Sequence, residues 1–135
     1  MATVLLHVAY NLSPGQFKDF CIPALREHIA AMDCPFFHLD GVGMLPHLLV
    51  LLQIDELPVI QWVPGAGKWE VSQWYEVIRQ ITGAGKNVQL FVNADEVAPL
   101  VDEIGADRLY LIIQDATLEN MTQLLKQFPQ ETEVE

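Results

Sequence analysis

A histidine and an aspartate lie two residues apart near the end of a short apolar run, in the stretch FFHLDGVG. Because side chains alternate along a β-strand, His38 and Asp40 would lie on the same face of a sheet. An imidazole nitrogen and a carboxylate oxygen can both bind zinc, and an imidazole can also transfer a proton near neutral pH. The spacing predicts either a site of this kind or a hydrogen-bonded pair that satisfies a polar interior.

Other polar side chains fall on the same predicted face or at the ends of neighbouring apolar runs. His7 is the candidate third zinc ligand, since a zinc site needs three or four protein ligands. We expect a small polar or carboxylated molecule to bind at these strand ends, through His7, His38, Asp40, Gln61, Trp62, Asn93 and Gln114. Two polar positions at these ends have a structural alternative, because Asn93 is also a typical helix cap and Asp115 a typical turn residue.

A glycine-rich loop, VPGAGK, follows the third apolar run. Gly65 and Gly67 would let the backbone turn sharply and approach a ligand, and Lys68 would meet an anion. The glycine spacing is not that of a phosphate-binding loop. The alternative is a strand-to-helix connection that orients Gln61 and Trp62.

The elements that must position these residues form a repeating βα pattern. Strands are predicted at Val4 to Tyr10, Phe36 to Leu39, Val59 to Val63, Val88 to Val92 and Leu109 to Ile113. Helices are predicted from Ser13 toward Met32 with a bend at Pro23, then over 44–53, 72–82, 93–104 and 117–128. The pattern predicts one α/β domain over residues 1–128 and an acidic tail at 129–135 that frays.

The two faces of the predicted strands differ in polarity. One face is apolar throughout: Leu6, Val8, Phe37, Leu39, Ile60, Trp62, Val88, Leu90, Val92, Leu109, Leu111 and Ile113. The other face carries the polar strand residues, among them His7, His38, Asp40, Gln61, Gln89, Asn93, Tyr110 and Gln114. A doubly wound sheet would be apolar on both faces, whereas a polar face is typical of the inside of a (β/α) barrel.

We therefore predict a parallel (βα)5-type partial TIM barrel, or half barrel. An exposed inner face of about 800 Å² of mostly apolar surface, at about 25 cal/mol per Å², would cost on the order of 20 kcal/mol. The sequence thus favours a homo-oligomer, a dimer first, or pairing with a complementary half barrel. A non-catalytic structural or interaction module is the alternative to a ligand-binding protein.

Composition excludes several classes of partner. The 135 residues carry 18 acidic and 7 basic side chains, for a formal charge of -11, so neither nucleic acid nor an anionic membrane surface is expected to bind. The apolar runs are too short to cross a bilayer. Two cysteines, Cys21 and Cys34, fit a reduced, cytoplasmic protein.

Two segments resemble a known family. SPGQFKDFCIPALREHIAAM followed by FFHLDGVGMLPHL, and the later IQWVPGAG, resemble the carboxyl-terminal half of the uroporphyrinogen decarboxylase superfamily, over roughly Leu5 to Leu125. The resemblance implies a truncated TIM barrel related to decarboxylases and zinc-dependent corrinoid methyltransferases. Asp40 stands where the methyltransferases carry a cysteine ligand, and IIQDATLEN near the last strand contains no cysteine or histidine. Neither activity is therefore carried over to this chain.

Overall fold

A computed structural model describes residues 2–4 and 7–129, and the side chains of residues 2–4 and 7 fall outside that description. Its centre is a five-stranded sheet in which every neighbouring pair of strands is parallel. The strands are β1 (Ala2–Val4), β2 (Pro35–Asp40), β3 (Val59–Val63), β4 (Asn87–Val92) and β5 (Leu109–Ile113). Their order in space is their order in the chain, β1-β2-β3-β4-β5. The prediction of an α/β fold with a parallel sheet is confirmed.

Helical segments connect the strands. The α-helices are α1 (Pro14–Gln16), α2 (Ile22–Ala30), α3 (Leu48–Leu52), α4 (Tyr75–Gly83), α5 (Ala94–Ile104) and α6 (Leu118–Gln127). Short 3-10 segments cover His7–Asn11, Val42–His47 and Val71–Trp74, and a π-helical turn covers Phe17–Cys21. Among the described residues, none of the helices has the length and apolar character needed to cross a membrane.

The helices pack against one face of the sheet. Parallel strands in sequential order are joined by crossovers of one hand, which place all the helices on the same side. The core accordingly contains strand side chains of the predicted apolar face, such as Phe37, Ile60 and Leu90, together with the buried helix residues. Side chains of the other face, such as Phe36 and Phe91, do not belong to this core. The predicted division of β2, β3 and β4 into two faces is confirmed.

The first predicted strand is wrong from His7 onward. The chain forms a 3-10 segment at His7–Asn11, and Val8, predicted to lie beneath the helices, is 60% exposed. Leu6, predicted for the same face, lies outside the described residues. The buried side chain of His47 anchors this segment to the core, because its Nε2 donates to the carbonyl oxygen of Ala9 at 2.8 Å.

The first predicted helix is interrupted. The capping box is present, with the backbone N–H of Gln16 donating to Ser13 Oγ and that of Ser13 to Gln16 Oε1. A π-turn over Phe17–Cys21 then follows, two residues before Pro23, and it adds one residue to the turn. Phe17 and Ile22, five residues apart, are consequently buried, and Phe20 between them is 74% exposed.

Two histidines on helical segments differ in burial. His47 is buried, and its ring stacks on Phe17 with 4.4 Å between ring centroids. His28 is exposed. Residues 130–135, most of the predicted frayed tail, lie outside the described residues.

Candidate functional site

Three polar side chains form a row across the face of the sheet that is turned away from the helices. The strand register places His38 of β2 beside Gln61 of β3, and Gln61 beside Gln89 of β4. Tyr110 of β5 follows Gln89 in the same row. Because strands lie about 4.8 Å apart, neighbours in a row are within reach of each other's side chains.

Hydrogen bonds join the first three members of the row. His38 Nδ1 donates to Gln61 Oε1, and Gln61 Nε2 donates to Gln89 Oε1. Gln61 is only 9% exposed and Gln89 only 4%, although neither belongs to the core beneath the helices. The bonds satisfy amide groups that would otherwise be costly to bury.

The row orients the His38 ring. Its Nδ1 is directed at the Gln61 amide, and its Nε2 is turned toward Asp40. That Nε2 atom lies 4.0 Å from Asp40 Oδ2, and both side chains are partly exposed. The site therefore presents a ring nitrogen and a carboxylate oxygen side by side to solvent.

The backbone around Asp40 is held from two sides. Tyr10 Oη donates to the carbonyl oxygen of Asp40 at 2.7 Å, and the N–H of Gly41 donates to the carbonyl oxygen of Val63 at 2.7 Å. Gly41 has a φ of 80°, in the region that favours glycine. These contacts fix the direction in which β2 ends, and with it the position of the Asp40 side chain.

The remaining predicted site residues are not joined to this row. Trp62 is buried on the helix side, where its ring meets Trp74 edge to face. Asn93 and Gln114 are exposed beyond the strand ends. Asn93 caps α5, which is the alternative that the sequence offered to a ligand-binding role. The side chain of His7 lies outside the described residues.

Asp115 also serves α5, because its Oδ1 accepts a hydrogen bond from the N–H of Ala94 at 2.7 Å. Gln89, in contrast, belongs to the row but was not predicted as a site residue. Its place on the polar face of β4, in register with Gln61, was the available signal.

The described side chains include two of the three predicted zinc ligands, His38 and Asp40. Among the described side chains there is no group of three or more histidine, cysteine, aspartate or glutamate residues that could hold a metal ion. His38 and Asp40 supply two donors, whereas zinc takes at least three from the protein. The third predicted ligand, His7, has its side chain outside the described residues.

Comparisons with family models, with curated proteins and with solved structures returned no match to this chain. The family resemblance therefore rests on the sequence segments that carry it.

Charge is distributed unevenly over the two ends of the strands. Acidic side chains lie at the carboxyl ends of strands or at the start of the helices that follow them: Asp40, Glu70, Asp95, Glu96 and Asp115. Within the described ranges, Lys68 is the one basic side chain in a loop that directly follows a strand, because the other six lie on helical segments or just before a strand: Lys18, Arg26, Arg79, Lys86, Arg108 and Lys126. The end that carries His38 and Asp40 is therefore acidic.

The loop that contains Lys68 closes on a small aromatic cavity. Trp74 Nε1 donates to the carbonyl oxygen of Lys68 at 3.0 Å and so anchors the loop. About 10 Å³ of open space remains beneath it, enough for one water molecule. The cavity is lined by Trp62, Val63, Pro64, Trp69, Val71, Trp74, Leu90 and Phe91. In this conformation the loop acts as a strand-to-helix connection.

Proposed function

We propose that this chain is a uroporphyrinogen decarboxylase-like half barrel that binds a small polar molecule at the carboxyl ends of its strands. The observation that carries the proposal is the row from His38 through Gln61 to Gln89, which ends in the Nε2 ring nitrogen of His38 beside Asp40. Polar, hydrogen-bonded side chains on the face away from the helices are what the inside of a barrel requires.

The sheet topology supports the barrel part of the proposal. In a doubly wound sheet the strand order reverses at one point, and ligands bind there. The strands of this chain follow one another without reversal, which is the order found in a (β/α) barrel. The segments around HLDG and IQWVPGAG, which carry the family resemblance, contain β2 and β3.

The chemistry that the site offers is binding combined with proton transfer. In the tautomer whose Nδ1 donates to Gln61, His38 Nε2 takes a proton from a bound molecule. Asp40 would stabilise the resulting imidazolium from 4.0 Å away. Gln61 acts as a positioning residue, because it holds the ring while its own side chain is buried.

A titration followed by nuclear magnetic resonance tests the proposal. The His38 ring and the side-chain amides of Gln61 and Gln89 would be observed while glycerol, succinate or ethylamine is added at millimolar concentration. We expect at least one of the three probes to shift these signals in a saturable way. Loss of the response in His38→Gln, with dispersed amide signals that show a folded protein, would support the site. Absence of any response to all three probes would contradict it.

A second candidate function is a non-catalytic module that assembles with a copy of itself. A groove of about 490 Å³ lies at the β5 edge between α5 and α6, and its lining is mostly apolar. The groove is lined by Val97, Val101, Ala106, Leu109, Tyr110, Leu111, Ile113, Met121, Leu124, Leu125 and Phe128. Together with the face that no described helix covers, this groove favours association.

A further inference from the structure

We infer that the aromatic cavity beneath the Lys68 loop (residues 64–69) is a second ligand site, which takes an uncharged aromatic ring carrying a hydrogen-bond acceptor for Trp62 Nε1. The cavity lies at the carboxyl ends of β3 and β4, the edge where parallel α/β sheets bind ligands. It is separate from the row that begins at His38, so the inference does not depend on the proposed function. Three features carry it: a buried donor without a partner, the apolar lining, and the weak attachment of the loop.

The indole N–H of Trp62 is a buried donor without a partner. Trp62 is 1% exposed, and no described residue accepts a hydrogen bond from its Nε1. Burying an unpaired donor costs stability, so we expect its partner to be a group that the described residues do not supply. Trp62 lines the cavity, where an acceptor atom of a bound molecule would fit. Trp74 differs, because its Nε1 already donates to the carbonyl oxygen of Lys68.

The lining selects the class of ligand. All eight side chains around the cavity are apolar or aromatic, and they include the three tryptophans of the chain. Aromatic rings bind a further ring edge to face or offset, and Trp62 and Trp74 already contact each other in this way. A charged group would lose its hydration there, and a sugar would bury hydroxyl donors against side chains that offer no acceptor. A neutral heteroaromatic ring with an acceptor and no donor avoids both costs.

The loop has to move for a ring to enter, because the closed cavity holds one water molecule. Residues 66–70 are exposed, and a Cβ built at Gly65 or Gly67 would meet no atom within 4 Å. Of the hydrogen bonds between described residues, the one from Trp74 Nε1 to Lys68 ties the loop to the rest of the fold. The loop is therefore attached loosely enough to lift from the cavity, as lids over ligand sites do.

The test titrates the full chain with quinoline, an uncharged double ring with one acceptor nitrogen, and with naphthalene, a ring of the same size that has none. The readout is the indole N–H signals of the tryptophans in nuclear magnetic resonance spectra. We expect quinoline to shift the Trp62 signal in a saturable way, with its proton further downfield than in the naphthalene complex because a hydrogen bond has formed. The amide signals of Gly65 and Gly67 should shift as the loop lifts, and that of Gly85, at the other end of β4, should not.

Two matched variants separate the hydrogen bond from the packing of the ring. Trp62→Phe removes the donor and should weaken quinoline binding on the order of 10-fold more than naphthalene binding. Trp69→Phe makes the same chemical change at a tryptophan that is 50% exposed, and it should weaken the binding of both rings equally. If Trp62→Phe does not fold, the position of the Trp62 proton in the two wild-type complexes decides.

The inference fails in either of two ways. Equal weakening of both rings by Trp62→Phe, or the same Trp62 proton position in both complexes, would show that the acceptor is not used. Absence of a saturable response to quinoline would remove the site, and a long-lived water molecule detected beside the Trp62 N–H would then be the partner of this donor. Both results leave the proposed function standing, because that function is tested at His38 with polar probes.

Discussion

The two glycines after Asp40 both leave room for Tyr10. Gly41 adopts a positive φ, which a side chain disfavours, and a Cβ there would overlap Tyr10 Oη. Gly43 has no such conformation, but a Cβ there would overlap Cε1 of the Tyr10 ring. The ring can therefore pack over the turn and donate its hydroxyl to the carbonyl oxygen of Asp40 only because positions 41 and 43 have no side chain.

Gly43→Ala should lower the free energy of unfolding by about 1–3 kcal/mol, the usual cost of forcing extra atoms into a packed place. Urea denaturation measures the effect. Tyr10→Ala should remove most of the clash, so the double variant should lose less stability than the two single variants together.

Gly83→Ala is the control for this experiment. Gly83 lies in α4 with no atom within 4 Å of a Cβ built there, and its φ is not positive. The same substitution should therefore stabilise the protein, by about 0.4–1 kcal/mol. Additive losses in Gly43→Ala and Tyr10→Ala would contradict the contact.

At the residue scale, the sequence predicted which side chains share a face but not which of them pair. His38, Asp40 and Gln61 fall on the predicted face, because strand alternation is a local property of the backbone. Gln89 was missed as a site residue because pairing depends on register between strands far apart in sequence. Trp62 was grouped with the site although alternation alone places it on the opposite face.

At the scale of elements, a buried lysine ties the end of α3 to the start of β4. Lys86 Nζ donates to the carbonyl oxygens of Ile54 and Leu57, at 2.6 and 2.7 Å. Burial lowers the pKa of Lys86, and the nearby Asp55 and Glu56 oppose this effect. The charged ammonium of Lys86 therefore pays a desolvation cost that the neutral amine avoids. The neutral amine still has two N–H bonds to donate to the two carbonyl oxygens.

This arrangement predicts a dependence of stability on pH. Between the lowered pKa of Lys86 in the folded protein and its ordinary value of 10.5, the unfolded chain binds the extra proton, so the contribution of Lys86 to stability rises with pH. The free energy of unfolding of the wild type minus that of Lys86→Met should therefore increase as pH rises toward 10.5. Urea denaturation over the alkaline range measures it. A constant or shrinking difference would contradict the assignment.

Helix α6 is the least firmly attached of the longer helices. None of its residues is buried, and Leu118 is 88% exposed, whereas α5 buries Val97 and Leu100. Its first turn depends on a cap, with Thr117 Oγ1 accepting from the N–H of Asn120 at 3.2 Å.

Thr117→Ala should therefore destabilise α6 by about 1 kcal/mol, the typical value of a cap. Amide hydrogen exchange should become roughly 5-fold faster in α6 and stay unchanged in α5, because weakly packed helices open locally. Thr122→Ala, a mid-helix change at an exposed position of the same helix, is the control and should not accelerate exchange. Equal acceleration in α5 and α6 would show that the two open together.

The boundaries of the elements were predictable where a cap or a glycine marks them. Helix α5 begins after Asn93 and ends at Ile104 as predicted, with Gly105 as its C-cap, and β3 and β5 have their predicted limits. The π-turn before Pro23 and the 3-10 segment at His7–Asn11 were not predictable, because each depends on tertiary contacts. The bond from His47 to Ala9 joins residues 38 positions apart, which no local pattern reports.

For the whole molecule, we expect association through the sheet face that no described helix covers. Phe36, Phe91 and Ile112 lie on that face outside the core, and Tyr110 is exposed there. Sedimentation velocity at micromolar concentration should show a dimer. Tyr110→Glu should shift the population to monomer, because it places a charge in an apolar interface, while Leu118→Glu on α6 should not. A compact monomer at all concentrations would rule out the predicted dimer.

The sequential order of the strands leaves the sheet with two unlike borders, one formed by β1 and the other by β5. A copy that joins along one border always offers its own opposite border to the next copy, so addition of this type stops only when a ring closes and otherwise continues as a filament. Contact between the sheet faces that no described helix covers instead buries the same surface on both partners, so assembly stops at a dimer. The way this protein assembles therefore decides whether it remains a discrete particle or polymerises.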